Sequence, residues 1–197
     1  MRRTSIAITV AAALVSISSG AGQVQADHDS RQELKQILSE IGIQGNPRTE
    51  SFEATLVGFN EVPPISTTGR GRLELLLVPD LDVIAFRLTY SNLEGGTSPV
   101  TPAAAHVHFA PPRVNGGVMF FFCGGPKPPC PAQGPMGEAV VVTGAVTATD
   151  IVGPANQGIS PGEFDAVERV LRSGLSYANV HTSTFAGGEI RGQVRRD

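Results

Sequence analysis

The chain has 197 residues, 41% of them hydrophobic, which is enough apolar material for one domain with a sizeable core. Its formal net charge is −3 at pH 7, and so acidic a balance excludes nucleic acid as a partner class, because that binding rests on basic patches. Three late arginines, Arg191, Arg195 and Arg196, stand close to the terminal Asp197 and read as a solvated end.

The first residues read as an export signal over 1–26. Arg2 and Arg3 form a positive n-region, Ile6 to Ile17 an apolar stretch, and Val24-Gln25-Ala26 a small-residue cleavage site. That stretch is too short for a stable membrane span. No cysteine lies near the cleavage point to carry a lipid. Ser5 stands where a twin-arginine signal wants an apolar residue, which favours the general secretory route to the periplasm or the outside medium. Cleavage would leave 171 residues starting at Asp27, and the loss of two arginines and no acid moves the formal charge from −3 to −5.

Residues 27–50 read as an N-terminal helix and linker. Ser30 with Glu33 makes a capping box, Leu34, Ile37, Leu38 and Ile41 fall at helical spacing, and Gly42 is a natural stop. A β domain over 51–197 follows. Alternation begins at Phe52, Ala54 and Leu56, and continues through Arg72 to Leu77 and Val83 to Tyr90. Further strands are expected at Ala103 to Phe109, Gly117 to Phe122, Glu138 to Thr147, Leu175 to Thr182 and Glu189 to Val194. The concentrated run Val118 to Phe122 reads as a buried strand, or as a docking patch if its side chains are exposed. Ser160, Pro161 and Glu163 open one inserted helix, whose apolar stripe is Phe164, Val167, Val170 and Leu171 and whose end is Gly174. About eight short strands separated by Gly/Pro-rich turns predict a mainly β fold: an antiparallel Greek-key-like sandwich or barrel with two helices. Cys123 and Cys130 flank a Gly/Pro turn and read as a local disulfide in an oxidising compartment, worth about 2–3 kcal/mol in the loop-closure model. Thiolate metal ligation is the sharper alternative for the pair.

Chemistry concentrates in the histidines. In Ala105-His106-Val107-His108 the two imidazoles share one strand face, and Asn179-Val180-His181-Thr182 offers a third from another strand. Imidazole suits copper, zinc, iron and nickel, so His106, His108 and His181 are candidate ligands of one metal ion. Against this stands the plain reading of strand histidines that stack or bond to carbonyls. Asn179 shares the face of His181 and Tyr177 and is placed to orient a ligand. Glu189 and Arg191 read as a cross-strand polar pair, and Glu61 in Asn60-Glu-Val-Pro-Pro64 as a structural loop residue. No Ser-His-Asp order or nucleotide-binding fingerprint stands out.

Phe52-Glu-Ala-Thr-Leu56, Asn60-Glu-Val-Pro-Pro64, Ala105-His-Val-His108, Tyr177-Ala-Asn-Val-His-Thr182 and Gly187-Gly-Glu-Ile-Arg-Gly-Gln193 together resemble the CHRD (chordin-type) domain, in its exported bacterial form. The resemblance covers roughly Ser51 to Val194 and implies an exported β-rich domain. A weaker similarity is to copper/zinc superoxide dismutases, which also carry a His-Val-His strand and a late copper-binding histidine. Here 73 residues separate His108 from His181, but a dismutase copper site uses a further histidine and none lies between them.

Three functions are therefore expected in order. The first is an exported CHRD-domain protein binding a single ion, copper before zinc, through His106, His108 and His181, with no catalysis implied. The second is a metal-free extracellular module that recognises a protein partner. The third is a metal oxidoreductase of dismutase type.

Overall fold

The computed structural model describes residues 21–197, with side chains from residue 28 onward; the expected signal sequence through residue 20 lies outside them. Among the described residues no helix is long and apolar enough to cross a membrane. The elements run in the order α1 (Ala21–Glu40), β1 (Glu50–Val57), β2 (Arg70–Val78), β3 (Val83–Ser91), β4 (Ala104–Phe109), β5 (Gly117–Gly124), β6 (Val140–Thr147), α2 (Phe164–Ser173), β7 (Ser176–His181), β8 (Ile190–Gln193) and β9 (Arg195–Arg196). The eight expected strands are present; the ninth is a two-residue addition that pairs with β1.

One antiparallel sheet holds all the strands, in the order β5-β4-β7-β8-β1-β2-β3-β6, and it curls until β5 and β6 approach each other. The fold is thus a nearly closed barrel. Alternation decides its inside: Phe52, Leu56, Leu73, Leu75, Ile84 and Val107 are buried in one core, while the residues between them face outward. The run Val118 to Phe122 belongs mainly to that core through Met119, Phe120 and Phe122, so it offers no docking patch. Cys123 and Cys130 form the expected disulfide at the end of β5, which removes their thiolates from the candidate metal ligands.

Both helices differ from their sequence signals at the N-terminus. α1 already runs helical from Ala21, the first described residue, so Ser30 lies inside it rather than capping it; residues 21–29 hold no proline to break it. At α2 the Glu163 carboxylate accepts from the Ser160 backbone N–H at 3.0 Å, half of the expected capping box, and the helix itself begins after Glu163. α1 lays Leu34, Ile37 and Leu38 on Leu76, Val78, Val83 and Ala85, the outward residues of β2 and β3. Arg87 ties the helix down further by donating to Glu33 at 2.7 Å. Leu34→Ala should therefore cost about 2–4 kcal/mol in urea unfolding, since it removes a buried leucine from the contact between α1 and that sheet face.

Candidate metal centre

The outward face of β4, β7 and β8 carries polar residues where the opposite side of the barrel carries α1. In the β4–β7 ladder, Ala104 pairs with His181, His106 with Asn179 and His108 with Tyr177; Asn179 in turn pairs with Arg191 on β8. Ala105, Val107, Ala178 and Val180 alternate with them into the core. Strand alternation thus puts His106, His108 and His181 on one surface. On the other side of β4, β5 is irregular, with register shifts between Ala105 and His106 and between Val107 and His108. Such bulges twist a strand locally and re-aim its side chains, and here they flank both histidines.

Loops convert this outer surface into a buried site. His106 is 6% exposed and His108 8%. The His108 Nδ1 lies 2.8 Å from the Gly116 carbonyl, and the His181 Nδ1 lies 2.9 Å from the Ala186 carbonyl. A carbonyl oxygen only accepts, so each Nδ1 carries the proton and each Nε2 keeps a bare lone pair. Gly116 has to be glycine for this approach: a Cβ there would stand 1.9 Å from the Phe109 carbonyl oxygen.

The rings are close. Centroids of His106 and His108 are 4.5 Å apart, and those of His106 and His181 also 4.5 Å. One ring nitrogen from each lies within 4.8 Å of the others. Five buried side-chain nitrogen or oxygen atoms lack a hydrogen-bond partner among the described residues, and three are His106 Nδ1, His108 Nε2 and His181 Nε2. Native interiors rarely leave such atoms unpaired, so their concentration in one cluster asks for a ligand. In a tetrahedral site, nitrogens about 2.1 Å from one ion lie about 3.4 Å apart, so the rings would have to draw in by up to about 1.4 Å.

Burial also sets the protonation state. It pushes His106 down to about 2, helped by the neighbouring His108 and His181. His108 falls to about 4 for the same first reason, against the Gly116 hydrogen bond, and His181 is lowered by burial as well. All three are neutral at pH 7 and need lose no proton to bind a metal.

A wall of packed groups surrounds them. Phe121 sets its ring edge-on to His106 at 4.8 Å. Tyr177 stacks flat on His108, with centroids 4.5 Å apart, and the Arg191 guanidinium carbon lies 3.4 Å from the Tyr177 ring centroid. Asn179, expected to orient a ligand, donates to Glu61 at 2.5 Å and to the Ile190 carbonyl at 3.2 Å. It stands beside His106 in the ladder and links that row to the loop bearing Glu61. Burial raises Glu61 to about 7, opposed by the Asn179 bond and by Arg191, and nothing in the sequence around it marks this.

The expected Glu189–Arg191 pair does not form. Glu189 precedes β8 and turns into the loop, where it accepts from Thr67, Thr182 and the backbone N–H groups of Glu94 and Gly95. Arg191 donates to Asn115 and to the Pro111 and Val114 carbonyls, bracing the loop that holds His108. His28 is exposed on α1, with Asp29 3.8 Å away.

The depressed histidines make the metal-free protein acid-sensitive. Below about 6.5 the unfolded chain takes up protons that the folded site refuses, so stability falls with pH toward about 4 for His108 and on toward about 2 for His106. Glu61, raised in the fold, acts with the opposite sign between its ordinary 4.5 and about 7, one proton against three histidines. Urea midpoints of the chelated protein should drop from pH 7 to pH 5 more steeply than those of a His106→Ala/His108→Ala/His181→Ala variant. Parallel profiles would show the histidines to be ordinarily protonated.

Comparison with curated proteins gives no match, and comparison with solved structures gives none either. The profile of the CHRD domain matches residues 52–194. That span contains both histidine strands, the loops whose carbonyls fix them and the barrel from β1 to β8, and on it the chain belongs to the CHRD domain family.

Proposed function

We propose that this is an exported metal-binding CHRD protein that holds a single ion through His106, His108 and His181. The observation that carries the reading is the meeting of three neutral imidazoles, one nitrogen of each within 4.8 Å of the others, in a cluster that leaves three buried ring nitrogens without a partner. Copper is the first choice and zinc the second, because the donor set is all imidazole: the cysteines are bonded to each other, and Glu61 is turned to Asn179. Export is supported by the signal-like N-terminus, the disulfide and the family.

Bound there, copper or zinc would supply a Lewis-acid centre. The chain's own part is to fix two tautomers through the Gly116 and Ala186 carbonyls and to hold the rings dry between Phe121 and Tyr177. Dismutase chemistry is not proposed, since the described residues bring no fourth imidazole to the cluster.

Elemental mass spectrometry of protein exported to its own compartment and purified without tag or chelator tests the reading. About one copper or zinc per chain is expected, and the triple alanine variant should lose it while keeping its far-UV spectrum. Equal metal in both proteins would overturn the ligand assignment. A wild type that takes up neither ion would make the histidines structural and favour a recognition module. Gly116→Ala keeps all three ligands but displaces the carbonyl behind His108, and should lower affinity about 10–100-fold in a chelator competition.

A further inference from the structure

Most arginines elsewhere on the surface are paired with acids: Arg31 with Asp197, Arg72 with Glu53, Arg87 with Glu33, Arg172 with Glu50. Among the described residues four have no carboxylate within ion-pair distance, namely Arg70, Arg113, Arg191 and Arg195. Three of these four line one cleft of about 470 Å³ between the loop at 59–64, the loop at 112–113 and the ends of β8 and β9. In a chain of net charge −3, that is a local reversal of sign.

The cleft's chemistry is mixed. Its one carboxyl, Glu61, is buried and engaged with Asn179. Arg191 is fixed in the wall by its loop carbonyls and Tyr177, whereas Arg113 and Arg195 are exposed. Arg113 is also held at a φ of 64°, a left-handed conformation that a non-glycine residue seldom adopts and that tends to occur at functional sites. Phe59, 72% exposed, lines the same cleft with Pro64 and Pro112, so the cleft offers an aromatic face and two proline rings as well as guanidinium groups. Guanidinium recognises carboxylate through paired N–H donors, and an exposed aromatic face stacks on a flat or ring-shaped apolar body.

We propose that this cleft binds a small organic acid carrying its carboxylate on a ring, with Arg113 and Arg195 engaging the carboxylate and Phe59 covering the ring. The cleft adjoins the histidine cluster through Arg191 and Glu61, but none of the three histidines lines it, and the groups that would hold the acid are not the proposed metal ligands. Two sources share this chemistry: a uronic acid sugar and an aromatic acid.

The test is calorimetric titration of the full chain at low salt with galacturonate and with 4-hydroxybenzoate, beside methyl galactoside and sodium sulfate. Saturable binding of either acid is expected, with a Kd on the order of 0.1–1 mM, and none of the uncharged sugar. Galacturonate alone would assign a uronate source, 4-hydroxybenzoate alone an aromatic one. Arg113→Gln/Arg195→Gln, both exposed and so compatible with folding, should weaken the acid about tenfold. Phe59→Ala should weaken it less and leave sulfate unaffected. Failure of both acids to bind would overturn the proposal, as would equal affinity in the double arginine variant. Sulfate binding as tightly as the acids would mean an adventitious ion only.

Discussion

The site depends on two hydrogen bonds from imidazole to backbone. His108 and His181 each give their Nδ1 proton to a loop carbonyl, Gly116 and Ala186, and so leave a bare, buried Nε2. Without those bonds the rings could exchange tautomers, and each Nε2 would be bare only part of the time. Burial then denies the lone pairs a competing proton. The cost is three unpaired polar atoms in the protein interior, which a metal ion would offset.

The barrel keeps this arrangement in register. Ala105, Val107, Ala178 and Val180 are locked in the core, so the outward residues between them cannot slip to the other face. Tyr177 then stacks between His108 and Arg191, and Arg191 holds the loop whose Gly116 carbonyl returns to His108. Ring, guanidinium, loop and histidine form a closed cycle of contacts. A buried arginine with no acid partner is explained by this bracing role, with three neutral acceptors and an aromatic face replacing an ion pair.

Much of this could be read from spacing. The i, i+2 histidines had to share a face, and the alternation of Leu73, Leu75 and Leu77 with Arg72, Glu74 and Leu76 separated the core from the outside of β2. Leu76 shows where one-dimensional pattern runs out: it looks like a lapse in alternation and is in fact the floor for α1. The contacts that make the site were not readable, because they join loops distant in sequence: Gly116 to His108, Ala186 to His181, Glu61 to Asn179. Glu189 and Arg191 misled for a related reason. Their i, i+2 spacing implies a shared face only within a strand, and β8 begins at Ile190. Arg113, Arg195 and Phe59 carried no local signal at all, since their meaning lies in a cleft built by separate loops and strand ends.

Long-range nitrogen–proton NMR of the histidine rings, recorded on metal-free protein near pH 6 and again after one equivalent of zinc as a diamagnetic ion, reaches the central claim most directly. The geometry predicts neutral rings with the proton on Nδ1 of His108 and His181, and zinc-induced shifts at the Nε2 of both and at the Nδ1 of His106. Imidazolium signals titrating near 6.5, or ring nitrogens that zinc leaves unmoved, would contradict a metal centre at these three residues.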